Sequence, residues 1–442
     1  VKIIPEKYCG DAREVLKQIP DKSFQLCVTS PPYWGLRSYL PAGHPRKHQE
    51  IGTEETLEEY LYHLREVFTE VWRVLRNDGL LWINLGDRYT AGARRTYDPT
   101  AKVMGREKDD HPSNGVFRPK DPLGLKCKEL LLLPQRVAMD LQGAGWILRS
   151  MCPWIKRNCM PESVEDRPVN ALEYFCMFSK DRFYYYDRDA VRVRASGNTH
   201  PRAAVFPHRG DRVSDDNRRR RRTNPKAAQA QIGVKQNQSF QGATSDYLVT
   251  HRNWRNTDLF LQSWEGLLGD EDGDPLALVV NPKGTVLSHF ASYPVSLVRP
   301  IIEVSTSEGG CCFTCGRPRE RIVELGEPDR EHQKKCGGDT LGEYHGESRP
   351  GVKESKAQNP GDVKRRILAG MRERKTIGWK RTCECWGNQF PPCAVLDPFH
   401  GVGTTAQACV ELGRRYTGIE ISEEYIRLSD ARDSQTALAL TP

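Results

Sequence analysis

Apolar side chains recur at three- and four-residue spacing along residues 56–75, where Leu57, Tyr60, Leu61, Leu64, Val67, Phe68, Val71, Trp72 and Leu75 share one face, the mark of an amphipathic helix packed on a core. Thr56 with Glu59 forms a capping box at its start, and Gly79 stands just past its end as a stop signal. A shorter amphipathic stretch runs through Val15, Leu16 and Ile19, behind Gly10-Asp11-Ala12, and residues 130–141 resume the helical period. Between these lie short apolar runs at 24–28, 80–85, 146–155, 394–396 and 416–419, with the length and composition of buried strands. Strands that alternate with helices predict an α/β core.

Two of these strands end in unusual loops. Thr29-Ser30-Pro31-Pro32-Tyr33-Trp34 closes the run at 24–28. Proline fixes φ, lacks an N–H and forces its predecessor into an extended conformation, so the strand stops in a rigid loop with fixed carbonyls. The Ser30 hydroxyl and the Tyr33 ring beside those carbonyls suit a planar ring bearing an exocyclic amine. The amine would donate to Ser30 and a proline carbonyl, and the ring would stack on Tyr33. The plainer reading is a strand-ending turn with a half-buried tyrosine. The second loop is Asp397-Pro398-Phe399-His400-Gly401-Val402-Gly403-Thr404-Thr405, a glycine-punctuated turn between a strand and a helix start. Such units bind nucleotide-like ligands at the carboxyl end of the strand, and Glu420, at the tip of the next strand, stands where a ribose diol is held in such folds.

Ser30-Pro31-Pro32-Tyr33 together with Asp397-Pro398-Phe399-x-Gly401-x-Gly403-Thr404-Thr405 closely resembles the DNA amino-methyltransferases, which move a methyl group from S-adenosylmethionine to cytosine N4 or adenine N6. The catalytic loop precedes the cofactor loop, as in the permuted β group of that family. The resemblance implies a Rossmann-like methyltransferase fold with circularly permuted motif order. It places Ser30, Pro31, Pro32 and Tyr33 at a flipped-out target base, and Asp11, Asp397, Phe399, Gly401, Gly403, Thr404, Thr405 and Glu420 at the cofactor. Asp11 reads equally as a helix N-cap. Residues 154–180 resemble the region lining the base pocket, and read on their own as an antiparallel hairpin. Residues 288–297 resemble the segment that packs against the methionine part of the cofactor. In the family, serine before Pro-Pro-Tyr leans to cytosine N4, and aspartate or asparagine to adenine N6. No Pro-Cys motif is placed to serve cytosine C5 chemistry.

Charge sharpens this picture. The whole chain of 442 residues carries a net charge of +8. Residues 188–235 alone hold 13 Lys/Arg against 4 Asp, with Arg218, Arg219, Arg220, Arg221 and Arg222 in one run. A near-neutral core with one basic arm fits a polyanionic partner, here double-stranded DNA. The expected organisation is a catalytic half at 1–187, a basic target-recognition region at 188–283, a return to the core at 284–310, a cysteine-bounded insert at 311–386 and a cofactor half at 387–442. Residues 91–126 read as a long polar loop.

Fourteen cysteines are scattered through predicted strands and helices, a usage that fits buried thiols in a reducing compartment. Cys312-x-x-Cys315-Gly316 resembles half of a zinc knuckle and Cys383-x-Cys385 could supply the other half, a structural site; Cys311 and Cys336 compete as ligands. No apolar run approaches the ~18 residues of a membrane helix and the first residues do not read as a signal peptide, so the expectation is a cytoplasmic, DNA-associated protein of a prokaryote or phage. Oligomeric state, target sequence and the existence of a cognate restriction enzyme are not legible. Two other readings stay open. Protein glutamine methylation also uses a Pro-Pro-Tyr loop, but with asparagine at the Ser30 position and the cofactor loop first. A DNA-binding protein with an inactive core is opposed by the intact Asp397 loop and Glu420.

Overall fold

The computed structural model describes residues 4–36, 38–41, 43–90, 122, 124–156, 166–167, 170, 172–191, 193–194, 251–252, 278–279, 293–328 and 372–439. The chain divides into two units, one comprising Val1–Val191, Trp254–Ile322 and Gly378–Pro442, the other Arg192–Asn253 and Val323–Ile377. Of the second unit's basic stretch the structure describes β6 (Val193–Arg194) and β7 (His251–Arg252), which pair antiparallel. Arg218 to Arg222, and residues 91–121 of the stretch 91–126 expected as a loop, lie outside the described residues.

The first unit is built on an eight-stranded sheet in the order β1-β12-β11-β2-β3-β5-β4-β8. Its strands are β1 (Glu6–Cys9), β2 (Phe24–Thr29), β3 (Leu75–Gly86), β4 (Ile147–Ile155), β5 (Leu172–Ser179), β8 (Leu278–Val279), β11 (Ala394–Asp397) and β12 (Arg415–Glu420). The five strands from β1 across to β3 are parallel; β5 is antiparallel to both its neighbours. Counted from β11, the strands β11, β12, β1, β2, β3, β4, β5 fall across the sheet as 3-2-1-4-5-7-6. The amino-terminal strand β1 thus pairs with β12, Glu6 opposite Thr417. A doubly wound sheet reverses direction at its switch point, here between β11 and β2.

Side-chain alternation explains how the sheet is covered. Cys27, Leu81, Ile83, Leu85 and Leu396 face α1 (Ala12–Lys17), α2 (Leu57–Val74) and α3 (Leu133–Gly143). Leu26, Val28, Leu80, Trp82 and Val395 face α4 (Val295–Ser305) and α5 (Thr404–Glu411). Strands covered on both faces must be apolar throughout, and β2 is buried along its whole length. The helix α2 buries Leu57, Tyr60, Leu64, Val67, Phe68, Val71 and Val74, each worth roughly 1.5–3 kcal/mol before entropy is counted. Its capping box is formed, Thr56 Oγ1 accepting from Glu59 N at 3.2 Å and Glu59 from Thr56 N at 3.2 Å. The last helix, α6 (Glu423–Ala439), follows β12.

Gly79 does not stop α2. Leu75 leaves the helix directly in extended conformation and starts β3, which pairs with β2 through an irregularity, Phe24 opposite Leu75 and then Leu26 opposite Leu80. Gly79 sits in that irregularity, where a Cβ would lie 2.8 Å from both the Gln25 carbonyl oxygen and Leu75 Cγ. The glycine is needed for close approach of two strands. Gly79→Ala is therefore expected to cost about 1–3 kcal/mol by overpacking, read from the urea midpoint at unchanged slope; a shift near zero would mean the strands part freely there.

Candidate functional site

A cavity opens at the carboxyl ends of β2, β11 and β12, where the sheet reverses. Asp11, Ser30, Pro31, Pro32, Tyr33, Asp397, Phe399, Gly401, Thr404, Thr405 and Glu420 all line it, so residues from opposite ends of the sequence meet at one place. Gly403 does not line it.

The join between the halves is a buried carboxylate. Asp397, 2% exposed, ends β11 and accepts from Thr29 Oγ1 at 2.6 Å, from Phe399 N at 3.1 Å and from Thr405 Oγ1 at 2.7 Å. Since Thr405 donates to the carboxylate, the 2.6 Å contact between Tyr293 and Thr405 has the tyrosine as donor. Burial pushes Asp397 up to about 6, against these hydrogen bonds, which hold it down. Glu420 ends β12 and accepts from Gly401 N at 2.8 Å and Ser422 N at 3.0 Å. Burial pushes it up to about 7, and the negative charge of Asp397 adds to the effect. Each Glu420 oxygen thus accepts one backbone N–H and has capacity for another donor.

The glycine loop is held from behind by a side chain the sequence reading passed over. His400 is buried, with Nδ1 2.6 Å from the Tyr416 hydroxyl and Nε2 2.8 Å from Ser429 Oγ. Burial pushes it down to about 3, so it is a neutral bridge. Gly403, the N-cap of α5 with φ of +81°, would drive a Cβ to 2.5 Å from Ser429 Oγ. Its glycine is explained by packing against this bridge. Asp11 caps α1, accepting from Arg13 N at 2.9 Å, and both its oxygens also take the Arg13 guanidinium. The N-cap role and the place at the cavity edge coexist.

On the other side, Ser30 Oγ lies 3.3 Å from Asn84 Oδ1, and Asn84 Nδ2 donates to Tyr174 O at 3.4 Å. Serine is the donor to that amide oxygen, which leaves the Ser30 lone pairs as acceptors. The Tyr33 hydroxyl lies 2.9 Å from Glu173 Oε2 and 3.1 Å from Asn84 Oδ1. Burial, and next the Glu173 charge, push Tyr33 well above its ordinary value, so it stays a donor. Lys156 pairs with Glu173, and Tyr60 donates to the Pro32 carbonyl at 2.9 Å. The loop is thus held at three points. Asn84 was legible only as one polar residue inside an otherwise apolar strand.

Cys393, which follows Pro392, is buried at the start of β11 with Sγ 3.5 Å from Ser307 O, at the other end of that strand from the cavity. Cys312, Cys315, Cys383 and Cys385 do come together, with their sulfur atoms within 4.8 Å of one another, whereas Cys311 turns away to Pro391 O at 3.5 Å. Cys336, residues 157–158, 161–162 and 288–292, and Arg218 to Arg222 lie outside the described residues. Among the described residues no helix is long and apolar enough to cross a membrane.

The N6_N4_Mtase family model, described as DNA methylase, matches residues 24–313 and 391–431. The Type II methyltransferase M.XycI of Xanthomonas campestris pv. cyanopsidis is 45% identical over 188 residues, 42% of this chain and 58% of that protein. The match therefore spans less than two thirds of the relative's length. M.SfiI of Streptomyces fimbriatus, also a Type II methyltransferase, is 27% identical over 95% of this chain and 88% of its own. Among solved structures, the PvuII DNA methyltransferase (cytosine-N4-specific) aligns over 96% of this chain and 85% of its own, with 13% identity and a TM-score of 0.43.

The raised carboxyl of Glu420 has a consequence for the ligand-free protein. An unfolded glutamate titrates near 4.5 and the folded Glu420 near 7. Between those values the native state holds the extra proton, so the contribution of Glu420 to stability is fully present below 4.5 and is lost as pH rises through 7. Across that window the protein is expected to lose about 2–3 kcal/mol relative to Glu420→Gln, measured by denaturant melts of both proteins. Parallel pH profiles would show that Glu420 titrates as an ordinary glutamate.

Proposed function

The chain belongs to the N6/N4 DNA methylase family, and on that basis we propose that it methylates the exocyclic N4 amine of cytosine in double-stranded DNA, using S-adenosylmethionine. The observation that carries this reading is the meeting of the Ser30 loop and the Asp397 loop at one cavity. Relatives named Type II methyltransferases support it.

The residues present fit the cofactor. Asp397 and Glu420 are buried carboxylates at the cavity with acceptor capacity, suited to an ammonium group and a ribose diol respectively. Phe399 gives an apolar face, and the backbone at Gly401 permits close approach. When bound, S-adenosylmethionine supplies an electrophilic methyl group.

The chain's own residues prepare the acceptor. An aromatic amine is a poor nucleophile because its lone pair is delocalised into the ring. Ser30 Oγ, its own proton given to Asn84 Oδ1, accepts one amine N–H, and the Pro31 carbonyl accepts the other. Holding both hydrogens in this way favours a more tetrahedral nitrogen and localises its lone pair. Tyr33, its hydroxyl anchored by Glu173 and Asn84, offers its ring as a stacking face. A base within the duplex cannot reach this loop, so it must be flipped out at a cost of a few kcal/mol, offset by stacking and by DNA contacts. The basic stretch around Arg218 to Arg222 supplies phosphate contacts and guanine recognition. Serine rather than aspartate or asparagine at position 30 is what favours cytosine over adenine.

The test is digestion of unmethylated genomic DNA to nucleosides after incubation with labelled cofactor, with the product identified by mass spectrometry. N4-methylcytosine is expected; N6-methyladenine would keep the chemistry and overturn the base assignment. Ser30→Ala should lower kcat about tenfold to a hundredfold, the worth of one strong hydrogen bond, with cofactor affinity unchanged. An unaltered kcat would remove Ser30 from the mechanism.

A further inference from the structure

Four cysteines from two distant segments converge at the end of the sheet opposite the cavity. Cys312 and Cys315 lie on a turn after α4, and Cys383 and Cys385 on a turn after β10 (Arg372–Lys380), which pairs with β9 (Glu320–Pro328). Their four sulfurs lie within 4.8 Å of one another and all are free thiols.

The turns are shaped around sulfur. Gly316 N donates to Cys312 O at 2.7 Å, and Gly316 and Gly387, which follow the two pairs, have φ of +68° and +107°. The two turns are also laced to each other, by Phe313 N to Gln389 O at 3.1 Å, Arg317 to Thr382 O at 3.1 Å and Thr382 Oγ1 to Pro318 O at 2.6 Å.

Packing does not explain the cluster. Free cysteines used as small apolar residues are buried, yet three of these are partly exposed, and the turns carry Phe313 at 73% and Trp386 at 97% exposure. Four soft ligands with no histidine or carboxylate among the described residues of the cluster match a closed tetrahedral site. We propose that Cys312, Cys315, Cys383 and Cys385 bind one structural zinc ion. It clasps the two turns from which β9 and β10 run out. It also fixes them beneath the sheet, since Arg76 donates to Cys315 O and Gln25 Nε2 to Gly316 O at 3.2 Å, while Gln25 Oε1 accepts from Ala394 N at 2.6 Å. The zinc is remote from the cavity and takes no part in chemistry.

The full chain, purified without chelator, should carry about one zinc per molecule, measured by inductively coupled plasma mass spectrometry and released on titration with a mercurial. Replacement by cobalt should give thiolate-to-cobalt charge transfer and the strong visible bands of a tetrahedral ion. The double variant Cys383→Ser, Cys385→Ser should lose the metal, and Cys127→Ser should keep it. The native protein's own metal content decides the matter even where the double variant fails to fold. A metal-free chain with four alkylatable thiols, a pair of disulfides, an iron–sulfur spectrum, or zinc retained by the double variant would each overturn the proposal. None of these readouts depends on methyl transfer.

Discussion

The whole arrangement depends on one buried carboxylate. Asp397 ties the end of β11 to the end of β2 through Thr29, and to the start of α5 through Thr405. The first of those contacts joins sequence positions 368 apart. A carboxylate buried without partners would neutralise or disrupt the fold; this one is held by three donors, two of them hydroxyls that have their own fixed positions. Thr405 is oriented in turn by Tyr293. The same constraint therefore closes the core and sets the separation between the two loops of the site.

Around that join the two sides are stiffened by different means. The glycine loop depends on tight packing against a neutral histidine, where His400 bridges Tyr416 and Ser429 and leaves room only for glycine at positions 403 and 418. The proline loop depends on hydrogen bonds to its far side, from Tyr60 to the Pro32 carbonyl and from Ser30 and Tyr33 into Asn84 and Glu173. Ser30 and Tyr33 both anchor the proline loop and line the cavity. Preorganisation of this kind places the ordering cost in folding, so that less remains to be met when a ligand binds.

The sequence shows this fold clearly where a single local signal suffices. The helix at 57–74 follows from periodicity and a capping box, and the strands at 24–29 and 394–397 from apolar runs ended by proline or glycine. Both loops were legible because their residues are contiguous. What escaped was non-local. Asn84 and His400 are single polar residues in apolar surroundings, and their partners, Ser30 and Ser429, lie 54 and 29 positions away. Gly79 was misread for a related reason: a glycine after a helix is a stop signal on its own, but here the neighbouring strand leaves no room for a side chain. Gly403 reads in sequence as a ligand-facing glycine, and the fold adds a packing reason for it, since a Cβ there would meet Ser429 and His400. The four cysteines were legible as pairs, yet spacing alone could not choose between Cys311 and Cys312, which the fold separates by turning one sulfur toward Pro391.

A parallel sheet has two chemically different ends, and this chain uses them for different purposes. The carboxyl ends carry the carboxylates and the proline loop. The amino ends carry the cysteine turns, held to the backbone by Arg76 and Gln25. The six residues of β2 set these ends roughly 20 Å apart, beyond the reach of direct contact. The strands between are buried on both faces and fixed in register with their neighbours, so a disturbance at the cysteine end can reach the cavity only by shifting that register. A one-residue slip would exchange the two faces of β2 and bury Cys27 where Leu26 and Val28 now pack. The sheet thus insulates the chemistry from the clasp.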